Sequence, residues 1–178
     1  MKTALLIIDI QNDFFTGGAM PLVDATSAAI NAELLMQSFR NRELPVIFVR
    51  HQETRPGAEF LCSASGSDFH APVRPQPGEK VVTKHTQNSF CGTDLNAYLK
   101  SERITDIVVC GMTTHNCVAA TVRAARDLGY NVTVAADACA TIALEFNGTT
   151  VDAQSVQAVV MAALQHGVAR VAFTRDII

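Results

Sequence analysis

The chain has 178 residues, of which 48% are hydrophobic and 17% are charged, and its net charge at pH 7 is −3. This composition excludes an intrinsically disordered chain, and the small negative charge gives no electrostatic reason to bind nucleic acid or an anionic membrane. We therefore expect a single folded domain over residues 1–178, because a chain of this length buries a sizeable core without disulfides or metal ions. The mean hydropathy of +0.18 favours a homo-oligomer, a dimer or a tetramer, in which another subunit covers some apolar surface.

The apolar run at residues 4–8 is too short for a signal peptide, because Asp9 ends it after five residues. No apolar stretch approaches the roughly 20 residues that span a bilayer. The cysteines are odd in number and no pair has CxxC spacing, which argues against a disulfide framework and a zinc finger. We therefore expect reduced thiols in a cytoplasmic protein. The cysteines are Cys62, Cys91, Cys110, Cys117 and Cys139.

Short apolar runs alternate with helical patterns along the chain. The first strand is predicted at 3–8 and is followed by a helix at 24–42, with Asp24 as N-cap and an inner face of Ile30, Leu34, Leu35 and Phe39. Further strands are predicted at 46–49, 80–83, 106–111, 131–136 and 170–174. Helices are predicted at 93–101, from Asn116 to a C′ glycine at Gly129, and at 150–166, the last with Thr149 as N-cap, Asp152 at its third position and Gly167 as its stop.

This alternation predicts an α/β fold of βαβ units with a doubly wound parallel sheet. The strands are continuous apolar runs, which is typical of a sheet covered by helices on both faces. Residues 51–79 contain four prolines and three glycines with little periodicity. Because long loops in compact domains are usually functional or mobile, we interpret 51–79 as an active-site wall or lid, or as a subunit contact.

Three reactive residues follow predicted strands: Asp9, Lys84 and Cys117. Ligands of open parallel sheets bind at the carboxyl ends of the strands, so the three side chains are candidates for one site. Each has an ordinary alternative role, as a turn residue, a solvated lysine or a small buried hydrophobe. The predicted helix start at Cys117, together with a nearby lysine, is expected to lower the thiol pKa and make the thiolate a nucleophile. Cys139 follows strand five and either lines the pocket or packs in the core.

Three linked segments carry a resemblance to a known family: LLIIDIQNDFF (5–15), KHTQNSFCGTDL (84–95) and VVCGMTTHNCVAATVRAA (108–125). In this order and spacing the chain resembles the isochorismatase-like cysteine hydrolases, which include nicotinamidases, N-carbamoylsarcosine amidase, ureidoacrylate amidohydrolases and isochorismatases. The resemblance covers nearly the whole chain. It implies a three-layer α/β/α, Rossmann-like fold with a six-stranded parallel sheet, and frequently a homo-oligomer.

By position, the resemblance makes Asp9, Lys84 and Cys117 the catalytic triad of an amidohydrolase that needs no cofactor. It also implies a cis peptide between Met112 and Thr113, and an oxyanion hole formed by the backbone N–H groups of Thr113 and Cys117. The implied reaction is the hydrolysis of a C–N bond in a small amide, ureido or carbamoyl compound through a thioester on the cysteine. Residues that the resemblance or the sequence places beside the substrate are Gln11, Phe14, His51, Phe90 and Asn116.

The segment Val49-Arg50-His51 departs from the Asp-x-His metal motif of nicotinamidases, because the carboxylate is missing. His51, His70 and His85 without that aspartate are a weak metal signal, so we predict no metal and place nicotinamidase activity below other amidases. Arg50 and His51 are alternative ligands for a substrate carboxylate, and His115 is a further candidate to face the substrate.

Three other functions stay open at the sequence level. An isochorismatase-type vinyl-ether hydrolase needs no thiol, so Cys117 argues against it. A thiol redox or peroxide-sensing protein leaves Asp9 and Lys84 without a role. A non-catalytic scaffold does not explain why all three reactive residue types are present.

Overall fold

The computed structural model describes residues 2–58, 60–62 and 64–178. Its strands are β1 (Lys2–Ile8), β2 (Val46–His51), β3 (Lys80–Lys84), β4 (Ile104–Met112), β5 (Asn131–Ala140), β6 (Leu144–Phe146), β7 (Thr149–Val151) and β8 (Arg170–Ala172). Its α-helices are α1 (Ala25–Asn41), α2 (Ala64–Ser67), α3 (Leu95–Ser101), α4 (Ala119–Asp127) and α5 (Ala153–Gln165). Two 3₁₀ turns, Asn12–Phe14 and Thr174–Asp176, and one π-helical turn, Thr114–Val118, complete the list.

Six strands form a parallel sheet in the order β3-β2-β1-β4-β5-β8. The chain builds outward from β1 to β3 on one side and from β4 to β8 on the other, so the strand order reverses between β1 and β4. This is the doubly wound α/β architecture that the sequence predicted. Its switch point lies at the carboxyl ends of β1 and β4, where such sheets bind ligands.

Two apolar cores cover the two faces of the sheet. Alternate residues of β1 point to opposite faces: Leu5 and Ile7 pack with α1, whereas Leu6 and Ile8 pack with α3, α4 and α5. Both faces of the central strands are therefore buried, which explains their uninterrupted hydrophobic sequences. The result is the expected three-layer α/β/α arrangement.

The central strands approach each other closely at Gly111. Its φ is +132°, and a Cβ atom at this position would lie 1.9 Å from the carbonyl oxygen of Ile8. Only glycine fits this contact between β1 and β4, immediately before the two strand ends that carry Asp9 and Cys117.

The predicted inner face of α1 was partly wrong. Ile30 and Leu34 are 52% and 47% exposed, and small residues meet the sheet in their place: Ala25, Ala28, Ala29 and Ala32, followed by Leu35, Met36 and Phe39. Small side chains let the helix lie close to the sheet. Asp24 occupies the N-cap position, but its side chain makes no capping hydrogen bond.

The start of the last helix was also misplaced. Residues 149–151 pair with 144–146 as an antiparallel hairpin, so Thr149 is a strand residue and not a cap. Asp152 is the N-cap instead of the third helical position, and its carboxylate accepts a hydrogen bond from the Ser155 amide at 2.8 Å. The helix ends at the predicted glycines are confirmed, because Gly129 and Gly167 have φ of +92° and +86° just beyond α4 and α5.

No helix in the described part of the chain combines the length and the apolar character that crossing a bilayer requires.

Candidate active site

Three strand ends place Asp9, Lys84 and Cys117 in one cluster. Asp9 follows β1, and its amide donates to the Val49 carbonyl at 2.9 Å. Lys84 is the last residue of β3. Cys117 lies in the π-helical turn between β4 and α4. Because parallel strands end at the same edge of the sheet, these residues meet although 108 positions separate the first from the last.

The lysine ammonium is the centre of this Asp9–Lys84–Cys117 cluster. Lys84 Nζ lies 2.7 Å from Asp9 Oδ2 and 3.2 Å from Cys117 Sγ. The side chains of Asp9 and Lys84 are fully shielded from solvent, and Cys117 is 8% exposed. The three groups that the sequence predicted to meet are therefore in direct contact.

Burial controls the protonation of the cluster. It raises the pKa of Asp9 above its ordinary value of 3.8, and the charge of Lys84 only partly opposes this rise. Burial alone would lower the pKa of Lys84, but its interactions with the Asp9 carboxylate and with Cys117 outweigh burial, and the pKa is raised. Burial and the Asp9 carboxylate raise the pKa of the Cys117 thiol to about 12.

The expectation of a low thiol pKa at Cys117 is therefore wrong. The N–H groups of Asn116 and Val118 donate to the Thr113 carbonyl, and α4 proper begins only at Ala119. Cys117 lies within the helical turn Thr114–Val118 that precedes α4, and burial raises its thiol pKa by more than Lys84 lowers it. The resting side chain is a thiol beside a carboxylate, and a base must remove its proton before it can attack.

His51 completes the surroundings of Lys84. Its Nδ1 lies 3.1 Å from Lys84 Nζ, and the Thr86 carbonyl accepts from the same ammonium at 3.1 Å. Burial and the charge of Lys84 lower the pKa of His51 to about 4. The imidazole is therefore neutral at pH 7.

The residues that could bind a metal ion form a different group from His51, His70 and His85, the three histidines weighed as ligands from the sequence. Among the described residues, Asp9, His51 and Cys117 offer ligand atoms within 4.8 Å of one another. The Lys84 ammonium contacts all three residues at 2.7–3.2 Å and occupies the position of a cation. A metal ion with bonds of about 2.0–2.3 Å does not fit beside it. His70 stacks on Phe15 and bonds with Asn12, and His85 Nδ1 contacts the Gln52 carbonyl at 2.7 Å.

A cavity of about 420 Å³ opens above Cys117. Thr113, Asn116, Phe14 and His51 line it together with the cysteine, as predicted. The peptide bond between Met112 and Thr113 is cis, at the position that the resemblance implied. The backbone of Thr113 therefore borders the same space as the Cys117 sulfur.

Two predicted substrate contacts lie elsewhere. Phe90 stacks on Tyr130, with ring centroids 6.1 Å apart, and packs against the core. Gln11 is fully buried, donates to the carbonyls of His51 and Ser67, and accepts from the His51 amide. Gln11 was predicted to line the pocket, but in the structure its side chain fixes the end of β2.

Other sequence-level candidates also face away from the cavity. Arg50 donates to the Thr83 hydroxyl on the neighbouring strand, and His115 contacts the Thr141 hydroxyl at 2.6 Å. Cys139 lines a separate cavity of about 480 Å³.

The loop at 51–79 supplies much of the wall, as one of its interpretations predicted. Sequence reasoning identified this loop but not the residues that contribute. The ion pair of Glu53 and Arg55, in which Glu53 Oε2 contacts two guanidinium nitrogens, lies at the rim. Hydrogen bonds from Arg55 lower the pKa of Glu53 to about 2. Further lining residues that the sequence gave no reason to choose are Met20, Thr54, Phe60, Leu61, His85 and Gln87.

Asp13 holds this wall in place. Its carboxylate accepts a hydrogen bond from the Leu61 amide at 2.7 Å and lies against Gly66 so closely that a Cβ there would be 2.4 Å away. The neighbouring Asn12 donates to the Ser65 carbonyl at 2.8 Å. The segment after β1 therefore anchors the loop that shapes the cavity.

With this geometry established, comparison with known proteins gives the family. The model of the isochorismatase domain matches residues 3–165. The chain belongs to the isochorismatase family. This isochorismatase-family hydrolase is 46% identical over 165 residues to the uncharacterized isochorismatase family protein YddQ of Bacillus subtilis, with 92% of each chain covered. It is 35% identical over 138 residues to a streptothricin hydrolase of Streptomyces noursei, covering 78% of this chain and 49% of that one.

Solved structures agree with this assignment. A putative isochorismatase hydrolase from Oleispira antarctica superposes with a TM-score of 0.95 at 46% identity, covering 99% of this chain and 95% of that one. N-carbamoylsarcosine amidase from Thermoplasma acidophilum superposes with a TM-score of 0.83 at 25% identity, covering 98% and 97%. The family and fold implied by the sequence are confirmed, and the chain is an isochorismatase-family hydrolase.

Proposed function

We propose that this hydrolase cleaves a C–N bond in a small amide, ureido or carbamoyl compound, with Cys117 as the nucleophile. The observation that carries the proposal is the contact of one ammonium with both a carboxylate and a thiol: Lys84 Nζ lies 2.7 Å from Asp9 Oδ2 and 3.2 Å from Cys117 Sγ. The sulfur borders a cavity that accommodates a small molecule. A nucleophile at the cavity wall, in contact with a fixed cation that pairs with a base, supplies the parts that acyl transfer needs.

Acylation begins with transfer of the thiol proton from Cys117 to Asp9. The raised pKa of Asp9 brings the carboxylate closer to the strength of base that this transfer requires at neutral pH. The thiolate attacks the carbonyl carbon, and the N–H groups of Thr113 and Cys117 stabilise the oxyanion, with each donor contributing about 2.7–4 kcal/mol. Protonated Asp9 then donates to the nitrogen, the C–N bond breaks and the amine or ammonia leaves.

Deacylation uses Asp9 in the same two roles, with water in place of the thiol. Asp9, again ionised, removes a proton from water, and the resulting hydroxide attacks the thioester carbon. The C–S bond breaks, the acid product leaves, and Asp9 returns the proton to the sulfur. Throughout the cycle Lys84 remains charged, because its pKa is raised, and it balances whichever of the two neighbours is negative.

Relatives support amide-type chemistry without fixing the substrate. Two similar proteins are named as a streptothricin hydrolase and an N-carbamoylsarcosine amidase. The cavity volume of about 420 Å³ lies within the range of small-molecule sites, about 300–1,000 Å³. A cytoplasmic location, a homo-oligomeric state and function without a metal or other cofactor belong to the same proposal. The five free cysteines favour a reducing compartment.

The test is an ammonia-release screen over small amides, ureas and carbamoyl compounds. We expect the unmodified protein to release ammonia from one class of compound. Cys117→Ala should lower the rate of release by several orders of magnitude. Cys91→Ala is the matched control, because Cys91 is exposed, and it should retain full activity. If no compound gives release that depends on Cys117, the amidase assignment is wrong.

The same variants separate the rival functions. A vinyl-ether hydrolase would survive Cys117→Ala, because its acid chemistry needs Asp9 and not the thiol. A peroxide sensor requires an accessible thiolate, whereas Cys117 is 8% exposed and its thiol pKa is raised to about 12. If Cys117 reacts with hydrogen peroxide no faster than free cysteine does, the peroxide-sensor function is excluded.

A further inference from the structure

Apart from the nucleophile Cys117, His51 is the one side chain in the described part of the chain that both contacts the Lys84 ammonium and lines the cavity. The backbone of His51 is fixed in place, because Gln11 donates to its carbonyl at 2.9 Å and accepts from its amide at 2.8 Å. The side chain is thus held between the Asp9–Lys84–Cys117 cluster and the space for the substrate.

The contact with Lys84 decides which ring nitrogen carries the proton. A charged ammonium has three donors and no acceptor. His51 Nδ1, 3.1 Å from Nζ, can therefore form a hydrogen bond only as an acceptor. A neutral imidazole whose Nδ1 accepts carries its proton on Nε2. The Thr86 carbonyl competes with the substrate as an acceptor for the ring N–H, because it lies near the His51 ring. The same carbonyl accepts from Lys84 at 3.1 Å.

The same contact prevents His51 from acting as a general base. A protonated ring would set two positive charges 3.1 Å apart in a half-buried position, and the lowered pKa of His51 agrees with that cost. Glu53 and His85 also act on the ring, and burial and Lys84 outweigh the favourable charge of Glu53. The imidazole is thus kept as a neutral donor.

We propose that His51 is a positioning and substrate-binding residue: Nδ1 orients the Lys84 ammonium, and Nε2–H donates to an acceptor atom of the bound substrate. The proposal rests on the proposed function, because it assigns the substrate a polar acceptor near the reacting carbonyl. The predicted class is therefore carbonyl compounds with an exposed oxygen or ring-nitrogen acceptor.

The first test uses ¹⁵N NMR of the unmodified protein with ¹⁵N-labelled histidine, in which the His51 signals are assigned from their loss in His51→Gln. We expect the Nε2–H tautomer, with ring shifts that do not change between pH 5.5 and 8. An Nδ1–H tautomer, or titration within this range, would overturn the proposal whatever the protein hydrolyses.

The second test compares two alkylating probes of Cys117 that differ in their acceptor. Iodoacetamide carries a carbonyl, whereas iodomethane has none, so the ratio of their rate constants removes changes in thiol reactivity. His51→Leu should lower this ratio by about tenfold, the effect of one hydrogen bond, while His51→Gln should stay within about threefold of the unmodified protein. His70→Gln, a histidine bonded to Asn12, is the control and should leave the ratio unchanged.

Equal ratios in His51→Leu and the unmodified protein would refute donation to the substrate. Neither experiment depends on finding an amide that the enzyme hydrolyses. A failed ammonia screen therefore counts against the proposed function alone, and a failed NMR or alkylation test counts against the role of His51.

Discussion

Removing the positive charge of Lys84 gives the sharpest test of the buried cluster. In Lys84→Met the straight side chain keeps most of its apolar stem, but Asp9 loses the ion pair at 2.7 Å while remaining inaccessible to solvent. Breaking one partner of a buried pair costs about 3–5 kcal/mol. We expect the free energy of unfolding at pH 7 to fall by this amount.

The loss of stability in Lys84→Met should be small at low pH and grow as the pH rises. Burial already raises the pKa of Asp9 above 3.8, and losing Lys84 raises it further, so the folded variant binds the proton more tightly than the unfolded chain. Below the unfolded pKa the carboxyl is neutral in both states and the penalty vanishes. As the pH rises from there towards the folded pKa, stability falls by about 1.4 kcal/mol per pH unit.

Urea denaturation between pH 4 and 8 measures this effect, with m-values compared to check that unfolding remains two-state. The double variant Asp9→Asn/Lys84→Met removes both charges and should be more stable at pH 7 than Lys84→Met. Lys80→Met is the control, because Lys80 pairs with the exposed Asp94 and such pairs contribute about 0–1 kcal/mol. A loss in Lys84→Met that is the same at pH 4 and pH 8 would refute the account of an uncompensated carboxylate.

Two further predictions concern the sulfur and the cation position. Because the thiol pKa of Cys117 is raised to about 12, its rate of alkylation by iodoacetamide should rise about tenfold per pH unit from pH 7 to 9; a plateau below pH 9, measured by mass spectrometry, would contradict the raised pKa. Lys84→Ala should allow Co²⁺ to bind between the carboxylate, the imidazole and the sulfur that now surround the ammonium. Binding would displace the thiol proton and give a thiolate charge-transfer band that the unmodified protein lacks. The same band in the unmodified protein would show that Lys84 does not exclude a cation.

Much of the fold could be predicted from the sequence because its determinants are local. Continuous apolar runs marked the six strands of the parallel sheet, and glycines marked the ends of α4 and α5. Helix periodicity alone does not show which stripe meets the sheet, so Ile30 and Leu34 were assigned to the core although alanines of α1 occupy it. The hairpin of β6 and β7 was missed because each strand has only three residues, with too little alternation to recognise.

The candidate site likewise has features that the sequence predicted and features that it did not. The order of the strands and the motifs around Asp9, Lys84 and Cys117 sufficed to predict their meeting, since all parallel strands end at one edge. Only the tertiary structure decided that the thiol pKa is raised, that Phe90 packs on Tyr130, and that His51 contacts the lysine. The physical reason is that desolvation and cavity shape depend on every group that surrounds an atom, and those groups come from distant parts of the chain that no local pattern records.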